Sequence, residues 1–431
     1  MERLAILGGR RLSGQVAAAG AKNSALPLIA AALLTEEVCV LERVPRIRDV
    51  ETMIRVVGSL GCEARWEDEH TLWLRSGKAL AAQPPAELVR EMRASVQVVG
   101  PLVARFGVAT TTTPGGCALG PRPINLHVQG LRAMGAQVEE DGAVLHFRTT
   151  RLHGTDILLD YPSVGATENL MMAACLANGR TFIRNAAREP EIVDLQSFLN
   201  QMGARVRGAG TDVVRVDGVQ RLRGARHVVI PDRIEVGTFL AAAAVTRGDV
   251  TVTDVIPQHC EATLAKLAEM GAEIVRTENS VRAIIGRRLR GTTIRALPYP
   301  GFPTDLQPQL TTVACLAEGV SFVHEEVFAS RFKHVEELMR MGADIRVEGR
   351  VAIVQGVEHL TGTAVHAPDL RAGAALVLAG LAARGESTVE GAHHLVRGYE
   401  DLPAKLAALG AEVQVDPSER GRTPAAARVT A

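Results

Sequence analysis

Three glycines and a cysteine share the seven residues Pro114-Gly115-Gly116-Cys117-Ala118-Leu119-Gly120, and Arg122 follows two residues later. Glycine lifts the steric bar to positive φ and lets backbone approach a ligand closely. Such a stretch can move, and it can place one thiol over a bound substrate. A thiol has an unperturbed pKa of about 8.5, and neighbouring cations lower that value. Taken alone, the loop reads first as a surface turn with an incidental cysteine. Cations recur elsewhere at junctions rather than on solvated helix faces: Lys22 beside Asn23, Arg93 in Met92-Arg93-Ala94-Ser95, Arg122 between two prolines, Arg371 after Asp369-Leu370, and Arg397 before Gly398. Lysine offers a compact charge and arginine a planar fork, and both suit phosphate and carboxylate. Singly each is a surface charge; together they point to a polyanionic ligand between two globules. Asp305, in the turn Phe302-Pro303-Thr304-Asp305, is either an N-cap for the helix from Leu306 or a carboxylate free to act as a general base.

Other chemistries find no support. The chain has no HExxH, Walker loop, GxSxG or GxGxxG between a strand and a helix. Its six cysteines form no CxxC pair, and His393-His394 and His259-Cys260 have no partners at ligand spacing, so no metal or cofactor is expected. Lys plus Arg and Asp plus Glu are equal at 48 each and aromatics are 3%, which argues against nucleic acid and an anionic membrane as partners. Nothing suggests an obligate protein partner. No signal peptide is read at Met1-Glu2-Arg3-Leu4, and the longest apolar run, residues 25–34, is too short to span a bilayer. A cytoplasmic protein with reduced thiols is expected.

The elements that must position these residues show in an internal repeat. At 431 residues and 47% apolar content the chain should form two or three cored domains. A Met/Leu-Gly tag recurs six times, at Gly61, Gly135, Gly203, Gly271, Gly342 and Gly410, with intervals of 74, 68, 68, 71 and 68 residues. Each tag ends a helical pattern and precedes a strand-like segment, as expected of glycine just past a helix C-terminus. A Leu-x-Gly tag recurs at Gly14, Gly154, Gly224, Gly291 and Gly362; its first interval, 140, is about twice the later ones of 70, 67 and 71. One copy has therefore degenerated near residue 82. Each unit holds about two helices and several strands, too large for a solenoid repeat, and six units predict compact α/β subdomains, three per globule.

On these residues the chain resembles a known family. The stretches Ala21-Lys22-Asn23-Ser24-Ala25-Leu26-Pro27, Met92-Arg93-Ala94-Ser95, 114–123, Ser163-Val164-Gly165-Ala166-Thr167, 185–193, Pro231-Asp232-Arg233-Ile234-Glu235 and 302–305 resemble, in order, the UDP-N-acetylglucosamine enolpyruvyl (1-carboxyvinyl) transferases. The resemblance runs from about residue 4 to 412. It implies an α/β fold of two inside-out α/β barrels, each of three βαβαββ repeats. Residues 22–230 would form the first globule with the Cys117 lid loop, 1–21 and 231–418 the second, and 419–431 a flexible tail. The active site would lie in the cleft between the globules.

The implied reaction joins phosphoenolpyruvate to the 3-hydroxyl of UDP-N-acetylglucosamine with release of phosphate. It proceeds by addition to a tetrahedral ketal and then elimination, at the first committed step of peptidoglycan synthesis, the fosfomycin target. By resemblance Cys117 is the general acid and can hold a pyruvyl adduct, and Asp305 is the base or the group orienting the hydroxyl. Lys22, Arg122 and Arg397 hold phosphoenolpyruvate, with Asp369 and Arg371 beside them. Asn23, Arg93, Arg122, Pro123, Ile124, Asn125, Leu126, Tyr161, Pro162, Ser163, Val164, Asp305 and Val327 match positions that bind the nucleotide sugar. Three positions depart from the common pattern: Asn125 replaces an aspartate, Tyr161-Pro162 a lysine-valine pair, and Ala329 an acidic residue. The sister 5-enolpyruvylshikimate-3-phosphate synthases lack the Pro-Gly-Gly-Cys lid. A non-catalytic nucleotide-sugar-binding paralogue would be expected to lose Cys117, Lys22, Arg397 or Asp305, and this chain keeps all four.

Overall fold

Six helices end in the same way. Arg48–Ser59, Asn125–Ala133, Pro190–Gln201, Glu261–Glu269, Val335–Arg340 and Leu402–Ala408 each pass through one capping residue to a glycine with φ between 94° and 106°. These glycines are the Met/Leu-Gly tags. Each donates its N–H to a carbonyl three residues back, as Gly135 does to Arg132 O at 2.9 Å, and in five copies the next residue donates five back, as Ala136 does to Leu131 O at 3.0 Å. That pair of bonds satisfies the last carbonyls of the helix, and it needs a left-handed residue. The chain then enters a strand, Gln137–Asp141 in this copy. The structure, a computed structural model of the chain, describes residues 3–78, 80–112 and 124–415.

The Leu-x-Gly tags do a different job. Carbonyl oxygens of Arg180, Val38, Val320 and Glu386 lie 2.1–2.3 Å from where a Cβ would stand on Gly154, Gly224, Gly291 and Gly362. Two residues on, a short strand begins a parallel pair, such as Asp156–Leu158 against Arg180–Arg184. Parallel neighbours need a crossover, here the helix Val164–Ala174. A second helix, Pro190–Gln201, leads to an antiparallel hairpin, Arg205–Arg207 and Val213–Asp217. The four strands lie in the order 156–158, 180–184, 213–217, 205–207. Five sheets share this order; the sixth has three strands, Val108–Thr112, Val144–Arg148 and Gln137–Asp141. At its open edge Ala82 O still accepts the Thr110 N–H at 2.7 Å, as Thr155 O accepts Phe182 N–H in the full sheet. The missing copy of the second tag is this lost strand.

The chain divides into two units, Ala19–Asp232 with Pro298–Gly301, and Met1–Ala18 with Arg233–Leu297 and Phe302–Ala431. Each contains three of the sheets and one hydrophobic core. In the second unit the helices Arg233–Thr246, Gln307–Leu316 and Leu370–Ala382 pack on one another, and Ile234 to Val245 is buried without a break. Helices without a polar face are interior helices. Strands such as Arg180–Arg184, Val213–Asp217 and Thr293–Ala296 alternate buried and more exposed residues, so their sheets keep one face toward solvent, whereas Val108–Thr112 is buried at four consecutive positions. No helix among the described residues is long and apolar enough to cross a membrane.

Gly291→Ala should destabilise the fold by roughly 2 kcal/mol, because its methyl group meets the Val320 carbonyl at 2.3 Å and backbone must yield. Gly58→Ala, where no atom lies within 4 Å of the added carbon, should instead stabilise it by up to about 1 kcal/mol. Urea unfolding of both variants checks the contrast.

Candidate active site

In the unit containing Ala19–Asp232, Lys22 opens the buried helix Lys22–Ala31. The chain before it is held by the Ala21 N–H to Ile230 O at 2.7 Å, and Asp232 Oδ2 accepts the Lys22 backbone N–H at 3.3 Å. The Lys22 ammonium lies 2.6 Å from Asp49 Oδ2, both side chains being nearly buried. A buried charge requires such a partner, and an ammonium has three donors to share. Asn23, next on the helix, is half-buried.

Arg93 begins the short helix Arg93–Val98 and acts electrostatically on His127. Burial, with that nearby charge, pushes the His127 imidazole down to about 3, so it is neutral. Its orientation is set by Asn169, which donates to His127 Nδ1 at 2.9 Å and accepts from the Gly100 N–H at 2.7 Å. Beside Asn169, Glu168 is bonded by the Gln97 amide. Burial, then the charges of Glu191 and Glu189, raise its carboxyl well above the ordinary range. Ile124 caps the helix Asn125–Ala133 and is buried, Asn125 is exposed and Leu126 half-buried. Tyr161 is exposed, and Pro162, Ser163 and Val164 are half-buried. Ser163 Oγ caps the next helix by accepting from the Ala166 N–H at 3.3 Å.

In the other unit Asp305 is not an N-cap. It is the middle residue of the single turn Thr304–Leu306, whose cap is Pro303, and its carboxylate is turned onto two arginines. Arg331 Nη2 donates to Oδ1 at 3.0 Å, and Arg371 donates to Oδ2 from Nε at 3.2 Å and Nη2 at 3.0 Å. Both arginine side chains are almost wholly buried, whereas 27% of the Asp305 side chain is exposed. Two guanidinium groups therefore fix a carboxylate that stays partly exposed. Arg371 is held in turn by the helix start, where Asp369 Oδ1 accepts the N–H groups of Arg371 at 2.9 Å and Ala372 at 3.1 Å. The ring of Tyr399 lies 5.4 Å from the Arg371 guanidinium, and its hydroxyl is bonded to Thr238 at 2.9 Å. The Val327 N–H donates to Glu325 Oε1 at 2.9 Å. Arg397, half-buried, ends the short helix Ala392–Arg397. It acts on His394, as does Asp369; burial is the largest cause lowering that imidazole.

The structure thus joins Asp305, Arg371 and Asp369 through named bonds, brings Arg397 near Asp369 through His394, and gives Lys22 and Arg93 buried neighbours. Cys117, Arg122 and Pro123 lie outside the described residues, as do the lid loop around them and residues 419–431. Several groups were not singled out in the sequence. Arg331, Glu325, Asp49 and His127 look there like ordinary polar residues of helices and loops; only tertiary burial distinguishes them. The five described cysteines are buried. Desolvation pushes the Cys39 thiol up to about 11 and those of Cys62, Cys175 and Cys315 up to about 12. Among the described residues no group of three or more His, Cys, Asp or Glu could hold a metal ion.

His334 supplies a pH test. It is fully buried, Nδ1 faces Arg331 O at 3.2 Å, and burial with the Arg331 charge pushes its imidazole down to about 4. The unfolded chain binds a proton near pH 6.5 that the folded chain refuses. Stability is therefore complete above that pH and should fall as pH drops toward 4. Urea unfolding across this range should show the loss, and His334→Gln should flatten it.

Known proteins resemble this chain over nearly its whole length. Residues 6–406 match the family described as EPSP synthase (3-phosphoshikimate 1-carboxyvinyltransferase). The chain is 54% identical over 417 residues to the UDP-N-acetylglucosamine 1-carboxyvinyltransferase 1 of Symbiobacterium thermophilum, covering 96% of this chain and 95% of that one. It is 49% identical to the UDP-N-acetylglucosamine 1-carboxyvinyltransferase of Finegoldia magna, covering 96% and 99%. The solved enolpyruvyl transferase NikO of Streptomyces tendae superposes with a TM-score of 0.87 at 28% identity, covering 96% and 98%. An EPSP synthase from Acinetobacter baumannii, at 20% identity and a TM-score of 0.73 over 96% of this chain and 100% of that one, shares the fold. Mixed α/β composition in many small sheets is common to this group. The chain belongs to the enolpyruvyl transferases, and within them to the UDP-N-acetylglucosamine 1-carboxyvinyltransferase family.

Proposed function

We propose that this protein transfers the enolpyruvyl group of phosphoenolpyruvate to the 3-hydroxyl of UDP-N-acetylglucosamine, on two inside-out α/β barrels of three βαβαββ units each. The observation that carries this is identity of 54% across 96% of the chain to a relative of that name. The two substrates are its only proposed partners, and no cofactor takes part.

The sugar oxygen adds to C2 of phosphoenolpyruvate while C3 takes a proton, which gives a tetrahedral ketal. Loss of phosphate from C2 and of a proton from C3 then restores the vinyl ether. Cys117 supplies the proton to C3. Asp305 receives the proton of the sugar hydroxyl, or orients that hydroxyl while its proton passes to the departing phosphate; both Asp305 oxygens already accept bonds from two arginines, which favours orienting. Lys22, Arg122 and Arg397 hold the carboxylate and phosphate of phosphoenolpyruvate, together with Arg371 and Asp369. Such cations stabilise charge that develops on phosphate as it leaves. Asn23, Arg93, Arg122, Pro123, Ile124, Asn125, Leu126, Tyr161, Pro162, Ser163, Val164 and Val327 contact the nucleotide sugar. At Asn125, where an aspartate is common, the amide both donates and accepts, so the uridine contact is kept.

Phosphate should appear only when both substrates are present, and Cys117→Ala should lower that turnover roughly 10²–10⁴-fold, the usual share of a general acid. A continuous phosphate assay decides this, and full activity in the alanine variant would remove the thiol from the mechanism.

Fosfomycin, an epoxide, should add once, at Cys117. The five described thiols are buried, and burial raises the pKa of Cys39, Cys62, Cys175 and Cys315, so they should stay unmodified because the thiolate is the nucleophile. Intact-mass and peptide spectra should show a single adduct, and Cys117→Ala should show none.

A further inference from the structure

Among the described residues, four βαβαββ units share a backbone rule that a fifth breaks. Five residues after the first residue of the central parallel strand, the chain turns left-handed, at Arg43 (φ 60°), Asn185 (φ 53°), Asp254 (φ 56°) and Gly391 (φ 69°). Counted the same way from Val320, the position is Glu325, which stays in its strand as the sixth residue. Its carboxylate is buried and fully engaged. Oε1 accepts the N–H groups of Val327 at 2.9 Å and Phe328 at 3.0 Å, and Oε2 accepts the Thr304 hydroxyl at 2.9 Å. Thr304 O and Asp305 Oδ1 both receive Arg331 Nη2, at 3.1 and 3.0 Å, and the charge of Arg331 also acts on Glu325.

We infer that Glu325 is a positioning residue, whose carboxylate ties the Val327–Phe328 backbone to the Thr304–Asp305 turn and thereby sets Asp305 for the sugar hydroxyl. This rests on the role proposed above for Asp305 and Val327. A left-handed turn at this position would carry the chain away, as in the other copies. Keeping the residue extended lets one side chain gather two backbone donors and a hydroxyl, and no neutral side chain of that size can accept all three. Burial raises the Glu325 carboxyl above its ordinary range, and the three donors with Arg331 oppose that rise. The contacts are those of an ionised group.

The test uses the full chain. Glu325→Gln preserves volume but presents an NH2 group to donors. It should raise KM for UDP-N-acetylglucosamine and lower kcat, each about tenfold, as expected for lost bonds to a charged acceptor. KM for phosphoenolpyruvate should stay within about twofold, given that discrete effect. Amide hydrogens of Val327 and Phe328 should exchange faster. Thr304→Val, which removes only the hydroxyl, should shift the same two constants by a smaller factor, and it decides the matter if the glutamine variant does not fold. Unchanged constants in a folded variant, equal losses for both substrates, or unchanged exchange at Val327 and Phe328 would each overturn the assignment. Wild-type protein that releases no phosphate from the two substrates would instead refute the proposed reaction. The exchange measurement would still judge the anchor.

Discussion

A helix with no polar face has to be surrounded. The helices Arg233–Thr246, Leu370–Ala382 and Lys22–Ala31 are buried along nearly their whole length, and a four-stranded sheet covers only one side of such a helix. A single βαβαββ unit therefore leaves apolar surface exposed, and three units sharing one core remove it. Much else follows within each unit. Sheets that cover helices on one face must present the other to water, so their strands alternate. Helices that run to the edge of the core must stop sharply and reverse into a strand, and a left-handed glycine does this in two bonds.

That constraint explains what was legible in the sequence. The six glycines at 61, 135, 203, 271, 342 and 410 mark turns whose geometry depends on one residue type, so they can be counted without a structure. Gly154, Gly224, Gly291 and Gly362 are readable because backbone passes too close for a Cβ. Of the proposed site, residues announced by glycine or proline neighbours were legible, among them Lys22, Asp305 and Asp369. Arg331 and Glu325 were not, since an arginine in Ser330-Arg331-Phe332 and a glutamate at a strand end look like solvated charges. Their burial is decided by elements distant in sequence. Asp305 illustrates the limit of local chemistry: its turn reads as a cap, and its carboxylate is claimed by Arg371, 66 positions on.

The buried polar groups cost stability, and their arrangement limits that cost. Around Asp305 the guanidinium groups of Arg331 and Arg371 share one carboxylate, and that of Arg371 also lies over the Tyr399 ring, so that neither buried cation faces apolar core alone. His334 and His127 sit beside these or similar charges and stay neutral. Rigidity at such places is a precondition for orienting a hydroxyl to within a fraction of an ångström.

The sheet that lacks its fourth strand carries a wider meaning. Its strand Val108–Thr112 runs directly into the segment that contains Cys117, and the other copy that departs from the common backbone runs into Val327. Six copies of one unit inside one chain amount to a set of related sequences written end to end, each under the same packing demands. Where the other copies agree and one differs, the difference is not dictated by the fold. Internal symmetry thus serves as its own control, and its defects point to where selection acted on chemistry rather than on folding.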